Sequence, residues 1–127
     1  MVGFWIFMLI MNLLIPVIMA VFGNQFAKTP PKEINSVFGY RTSISMKNKD
    51  TWTFAHHYFG KLWRIIGVII GTLSIIAMIF MLGREIEIIG MLGGIICGIQ
   101  IVFMIIPIFL TQKALNANFD KDGNRIL

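Results

Sequence analysis

The chain has 127 residues, 57% hydrophobic and only 13% charged, with a formal net charge of +5 and a mean hydropathy of +0.79. Globular domains average about 45–50% apolar and about 25% charged residues. This composition therefore excludes a soluble enzyme and a disordered tail, and the lone cysteine, Cys97, excludes a disulfide scaffold.

The apolar excess falls in three windows, 2–22, 65–82 and 88–110, which hold 62 residues and no Asp, Glu, Lys or Arg. A hydrocarbon core of about 30 Å needs roughly 17–25 apolar residues as helix, so each window is long enough to span it. Helix is the predicted state, because a lipid-exposed segment must satisfy its own backbone groups. The first window has no Lys or Arg before it and no small-x-small cleavage site after Phe22. It is also longer than a signal-peptide core, so it is expected to be a retained span.

Thr29-Pro30-Pro31 ends any helix leaving the first span, because proline lacks the N–H donor and biases its predecessor to extended backbone. From Asn35 to Met46, polar residues alternate with Val37, Phe38, Tyr40 and Ile44 without helical spacing. Gly39 within this run suggests a turn or a close backbone approach. Asn48 or Asp50 then suits the N-cap of a following helix. Trp52, Ala55, His56, Phe59 and Trp63 recur at offsets 0, 3, 4, 7 and 11, one face of an amphipathic helix. His57 lies about 100° away and is expected to be solvated. No proline separates this helix from the second window. A continuous helix over 51–82 would measure about 48 Å, so its first turns must stand outside the hydrocarbon. Trp52, Tyr58 and Trp63 suit that interfacial zone.

A turn at 83–87 makes the second and third spans an antiparallel hairpin. Gly67 and Gly71 in one, and Gly90, Gly94 and Gly98 in the other, follow G-x-x-x-G spacing. Such grooves let helix backbones approach closely, and they are expected to pack this hairpin, with a homo-oligomer interface as the alternative. Asn12, Thr72, Ser74, Cys97 and Gln100 sit near mid-window. Antiparallel neighbours would bring Asn12, Thr72 or Ser74, and Gln100 to one depth as hydrogen-bonding glue. No Asp, Glu, Lys, Arg or His in the windows supports an ion path.

Charge supplies an orientation. Ten of the eleven basic residues lie in 23–64 or in the tail 111–127, and Arg84 alone lies in the opposite turn. The positive-inside rule puts that loop and tail in the cytoplasm and the N-terminus outside. The basic pI thus reflects topology, with added attraction to anionic membrane lipids, and no nucleic-acid partner is expected. The expected fold is all-α and integral to the membrane, one domain of three transmembrane helices. A cytoplasmic loop and an amphipathic helix lead into the second.

One constellation is distinctive. Asn35, Gly39, Arg41 and Thr42 are followed by Trp52, His56 and Gly60 just ahead of a hydrophobic helix. This pattern resembles the SdpI family of small prokaryotic membrane proteins. That family places Asn before Gly-x-Arg-Thr, then Trp with His or Asn four residues on, then Gly. Ser36 departs from the proline that many members carry there. The family takes its name from an immunity protein that protects a cell from a secreted toxic peptide and takes part in signalling. The resemblance implies a non-enzymatic protein working through a toxic peptide, a cytosolic signalling protein or lipid, with the seven motif residues as contacts.

The residues themselves suggest two chemistries. Arg41 can hold a phosphate or carboxylate through paired hydrogen bonds, or it can clamp the loop. His56 shares a face with Trp52 and Phe59, where it can donate a hydrogen bond or act as a base. A lipid- or peptide-handling enzyme or carrier using Arg41 and His56 is thus one alternative, and a small transporter subunit is another. No cofactor and no metal are expected. His56 and His57 are adjacent and not at i, i+4 spacing. The 120–124 segment has its glycine at the fourth position, where a calcium loop needs it at the sixth, so Asp122-Gly123 is expected to form a turn.

Overall fold

Three helices account for the three windows: α1 over Val2–Lys28, α2 over Lys49–Phe80 and α3 over Ile86–Asn118. The structure, a computed structural model, describes residues 2–35 and 39–126. Ser36, Val37 and Phe38 lie outside the described residues, and so does the alternation expected through them. Each helix is long and apolar enough to cross a membrane. Less than a third of each apolar window is buried within the protein, so most of its surface is left to lipid.

Two of the helices are longer than a hydrocarbon core of about 30 Å requires. At 1.5 Å per residue, α2 (32 residues) and α3 (33 residues) are about 48–50 Å long. The excess gathers where the C-terminus of α1, the N-terminus of α2 and the C-terminus of α3 meet. Local chemistry sets each boundary. α1 stops at Lys28, directly ahead of Thr29-Pro30-Pro31. α2 starts with a capping box: the Asn48 side chain accepts from the Thr51 N–H at 2.9 Å, and Thr51 Oγ1 accepts from the Asn48 N–H at 3.1 Å. α3 carries on past residue 110 to Asn118, eight residues into the segment expected as tail. The rest folds back as a turn on Gly123 (φ +86°), bridging Phe119 to Arg125.

Packing is concentrated on α1 and α2, and here the glycine expectation is corrected. Gly67 and Gly71 face α1, where an added Cβ would meet Pro16, Met19 and Ala20. They do not pack the α2–α3 hairpin. The closest crossing is Gly23 with Gly60: a Cβ on Gly60 would lie 2.5 Å from the Ala27 nitrogen and 2.6 Å from the Gly23 carbonyl oxygen. In α3, Gly90 faces Phe4 of α1, while Gly94 and Gly98 face open space. Two of the three glycines of the doubled motif in α3 therefore pack nothing among the described residues. The reason is that α1 lies in the groove of α2, and the short turn holds α3 to the side.

Two hydrophobic clusters bracket a polar layer. One, at the extended end, joins Phe26, Tyr40, Ala55, Phe59, Leu115 and Phe119. The other, at the opposite end, joins Met8, Met78, Met81 and Ile89. Between them Gln100 Nε2 donates to the Asn12 carbonyl at 2.7 Å and to Ser74 Oγ at 2.8 Å. The Cys97 thiol donates to Asn12 Oδ1 at 2.9 Å. Ser74, not Thr72, joins this layer: Thr72 is exposed and donates to its own helix at the Val68 carbonyl, 2.9 Å away.

Candidate functional site

Four of the seven motif residues converge at the extended end of the bundle, around His56. The amphipathic face of α2 turns inward as its spacing requires: Trp52, Ala55 and His56 are fully buried and Phe59 nearly so. His56 is held at both ring nitrogens. Nε2 accepts from the Tyr40 N–H at 2.8 Å, so Nδ1 carries the proton and donates to the Trp52 carbonyl at 2.8 Å. Burial lowers the basicity of His56 below its ordinary value, against the opposing pull of the Trp52 carbonyl and with a small contribution from His57. It lies in the part of α2 that precedes the apolar window. The imidazole is a neutral strut tying the loop to α2, which removes the general-base role from consideration.

Gly39 exists for the sake of this contact. Its φ is +109°, and a Cβ there would stand 2.5 Å from His56 Nε2. Only glycine both adopts that backbone and lets the imidazole reach the next residue's N–H. Trp52 fixes the other side of the loop, its Nε1 donating to the Pro31 carbonyl at 2.8 Å, with its ring 4.3 Å from that of His56. Gly60 serves the crossing with α1. His57 is not solvated as expected: it is half-buried and pairs its Nδ1 with the Ala27 carbonyl near the end of α1.

The remaining three motif residues lie further out. Asn35 is half-buried and donates through Nδ2 to the Glu33 carbonyl at 2.9 Å. Thr42 opens a tight turn in which its N–H donates to Ser45 Oγ at 2.9 Å. The Thr42 hydroxyl oxygen is buried without a hydrogen-bond partner among the described residues. Arg41 is exposed.

Arg41 and Thr42 share the wall of a cavity of about 460 Å³ with Tyr40 and the rings of Phe22, Phe26, Phe59 and Trp63. The aromatic wall is continuous, with Tyr40 and Phe59 centroids 4.8 Å apart and Phe59 and Trp63 4.7 Å apart, each pair tilted. Ile18 of α1 and Ile108 of α3 extend the wall toward the spans. A cation beside an aromatic-lined hollow of this size, within the usual range of about 300–1,000 Å³, suits an anionic group attached to an apolar body.

Several contributors escaped sequence reasoning. The Tyr40 hydroxyl reaches Gln112 Oε1 at 2.8 Å and the Ile108 carbonyl at 3.2 Å, and burial pushes its pKa up to about 12. It therefore stays neutral and pins the loop to α3. Gln112 had no signal, since nothing in its neighbourhood marked the helix as continuing there. The tail also clasps the start of α2. Asn48 Nδ2 donates to the Gly123 carbonyl at 2.8 Å. Arg125 pairs with both oxygens of Asp50, its guanidinium 4.9 Å above the Phe119 ring.

A family model described as the SdpI/YfhL protein family matches residues 32–111, which includes the whole loop motif and both later spans. The chain is also similar to a Bacillus subtilis (strain 168) protein, "Uncharacterized protein YfhL", with 31% identity over 106 residues. That alignment covers 84% of this chain and 86% of the relative. No solved structure matches.

Proposed function

The chain belongs to the SdpI/YfhL family, and from that premise we propose that it acts by contact and not by turnover, conferring immunity to a secreted, membrane-active toxic peptide. The observation that carries this reading is the division of labour within the motif. Gly39, Trp52, His56 and Gly60 are consumed in building a rigid scaffold, and both nitrogens of the buried His56 are engaged. Arg41 lines the aromatic cavity. Such a site offers charge and apolar surface, which supports binding. Its ligand is a carboxylate or phosphate joined to an apolar body, the chemistry shared by the C-terminus of a hydrophobic peptide and by an anionic lipid. Signalling through a cytosolic partner would use the same end of the bundle, where ten of eleven cations lie.

The test is genetic first. Cells lacking the gene are challenged with peptides secreted by neighbouring strains, then complemented with the wild type or with Arg41→Ala. The expected result is sensitivity on deletion, full rescue by the wild type and failed rescue by Arg41→Ala at equal membrane abundance. Unchanged sensitivity across a broad panel overturns the immunity reading. Rescue by Arg41→Ala overturns the site.

A further inference from the structure

A second hollow, of about 570 Å³, opens where the loop, the last turns of α3 and the folded-back tail meet. Its polar wall comes from three chain segments: Ser43 and Lys47 from the loop, Gln112 and Asn116 from α3, and Lys121 from the tail. None of the five donates a side-chain hydrogen bond or joins an ion pair among the described residues. Gln112 is already oriented. Its Oε1 accepts from the Tyr40 hydroxyl at 2.8 Å, which leaves Nε2 as the uncommitted donor. Asp120 also lines the hollow, but its Oδ1 accepts from the Asp122 and Asn124 N–H groups at 2.9 and 2.8 Å, within the tail's own turn. Asp50, near the start of α2, is taken by Arg125. Lys47 and Lys121 against Asp120 leave the wall with one surplus positive charge. Ile44 and Phe119 add apolar surface.

We infer that this hollow seats the phosphate of an anionic membrane phospholipid. Lys47 and Lys121 counter its charge, and Ser43, Gln112 and Asn116 donate to its oxygens. Depth selects a lipid. Gln112 and Asn116 lie two and six residues beyond Leu110, the end of the third apolar window, or about 3 and 9 Å along the helix at 1.5 Å per residue. That is the level of the headgroups, which flank a hydrocarbon core of about 30 Å in a bilayer of about 40–45 Å. The donor set selects a phosphate. Five donors from three directions suit the several oxygens of a phosphate better than the pair on a carboxylate, and lysine serves phosphate as a point charge. Helix geometry supplies a track for the acyl chains. Ile101, Ile105 and Ile108 precede Gln112 by 11, 7 and 4 residues, so they share its face of α3, and all three are exposed. The lining shares no residue with that of the Arg41 cavity, so the site stands apart from the function proposed above.

Native mass spectrometry of the full chain in mild detergent, titrated with single lipids of matched oleoyl chains, reads the site directly. Phosphatidylglycerol is expected to form a one-to-one adduct about tenfold more tightly than phosphatidylcholine, whose headgroup carries no net charge. Lys47→Gln combined with Lys121→Gln should erase that preference. So should Gln112→Glu, which keeps the acceptor for Tyr40 and replaces the donor by an anion. Lys28→Gln combined with Lys61→Gln, and Gln25→Glu, make the same charge changes on exposed residues outside the hollow and should leave the preference intact. Equal affinity of the wild type for the two lipids overturns the proposal before any variant is made. A preference that survives both hollow variants also overturns it, and equal loss in the hollow and control variants replaces the site by diffuse attraction. Oleate bound as tightly as phosphatidylglycerol overturns the phosphate. Displacement of the lipid by an equal concentration of glycerol phosphate overturns the lipid in favour of a soluble phosphate ester.

Discussion

At the scale of single residues, Gly39 and His56 act as one unit. Gly39→Ala places a Cβ against the imidazole and forces an L-residue to φ +109°, a strain worth about 1–3 kcal/mol, with the Tyr40–His56 bond lost in addition. The melting temperature in mild detergent should drop markedly, while Gly3→Ala, which meets nothing within 4 Å, should leave it unchanged. His56 also makes stability depend on pH. Its folded pKa lies below the ordinary 6.5, so the unfolded chain takes up the proton first. The contribution is fully present above about pH 6.5 and is lost as the pH falls through the lower folded value. Melting curves between pH 7.5 and 5 should show that decline, and His56→Phe, less stable throughout, should flatten it. These two residues were legible as special in the sequence, one as a glycine in a polar run and the other as a polar residue on an apolar face. Their contact was not, because 16 intervening residues carry no signal of which atoms meet.

At the scale of elements, the glycines separate into those that work and those that do not. Gly60 and Gly23 form a backbone-to-backbone crossing between α1 and α2, so Gly60→Ala must push the helices apart. Overpacking of this kind costs about 1–3 kcal/mol. Gly94 and Gly98 meet nothing within 4 Å, and Gly94→Ala there should raise stability by about 0.5–1 kcal/mol through helix propensity alone. Thermal melts of the two variants should therefore shift in opposite directions. Identical G-x-x-x-G spacing gives both kinds of site, because spacing marks a groove and not its occupant. The cap of α2 was better specified: Asn48 was one of two candidates, and its carbonyl and amide groups cap the helix and hold the tail at once. Asn48→Ala is expected to cost about 0.5–2 kcal/mol for the cap. Near-total tolerance in a denaturation series would show that the tail clasp and the cap do not act together.

For the whole molecule, charge asymmetry makes a topological prediction. The loop, the start of α2 and the tail meet at one end and carry ten of eleven cations, which supports placing that end in the cytoplasm. A C-terminal fluorescent-protein fusion should then be bright and a C-terminal periplasmic phosphatase fusion inactive. The reverse pattern would refute the orientation. Three spans, a helix continuous from the amphipathic segment into the second span, and the stop at Thr29-Pro30-Pro31 were all readable, because hydrophobic length and proline chemistry act locally and need no partner. The meeting of Asn12, Ser74 and Gln100 was readable too, since three antiparallel spans leave mid-window groups at one depth. What the sequence could not determine was lateral arrangement. Apolar helices present similar surfaces in every direction to lipid and to each other, so hydrophobicity gives no preference for a neighbour. Only close steric fit, glycine against backbone at Gly23 and Gly60 and imidazole against Gly39, decided that α1 packs on α2. That same fit decided that Tyr40 is held on His56, with Arg41 lining the aromatic cavity beside it.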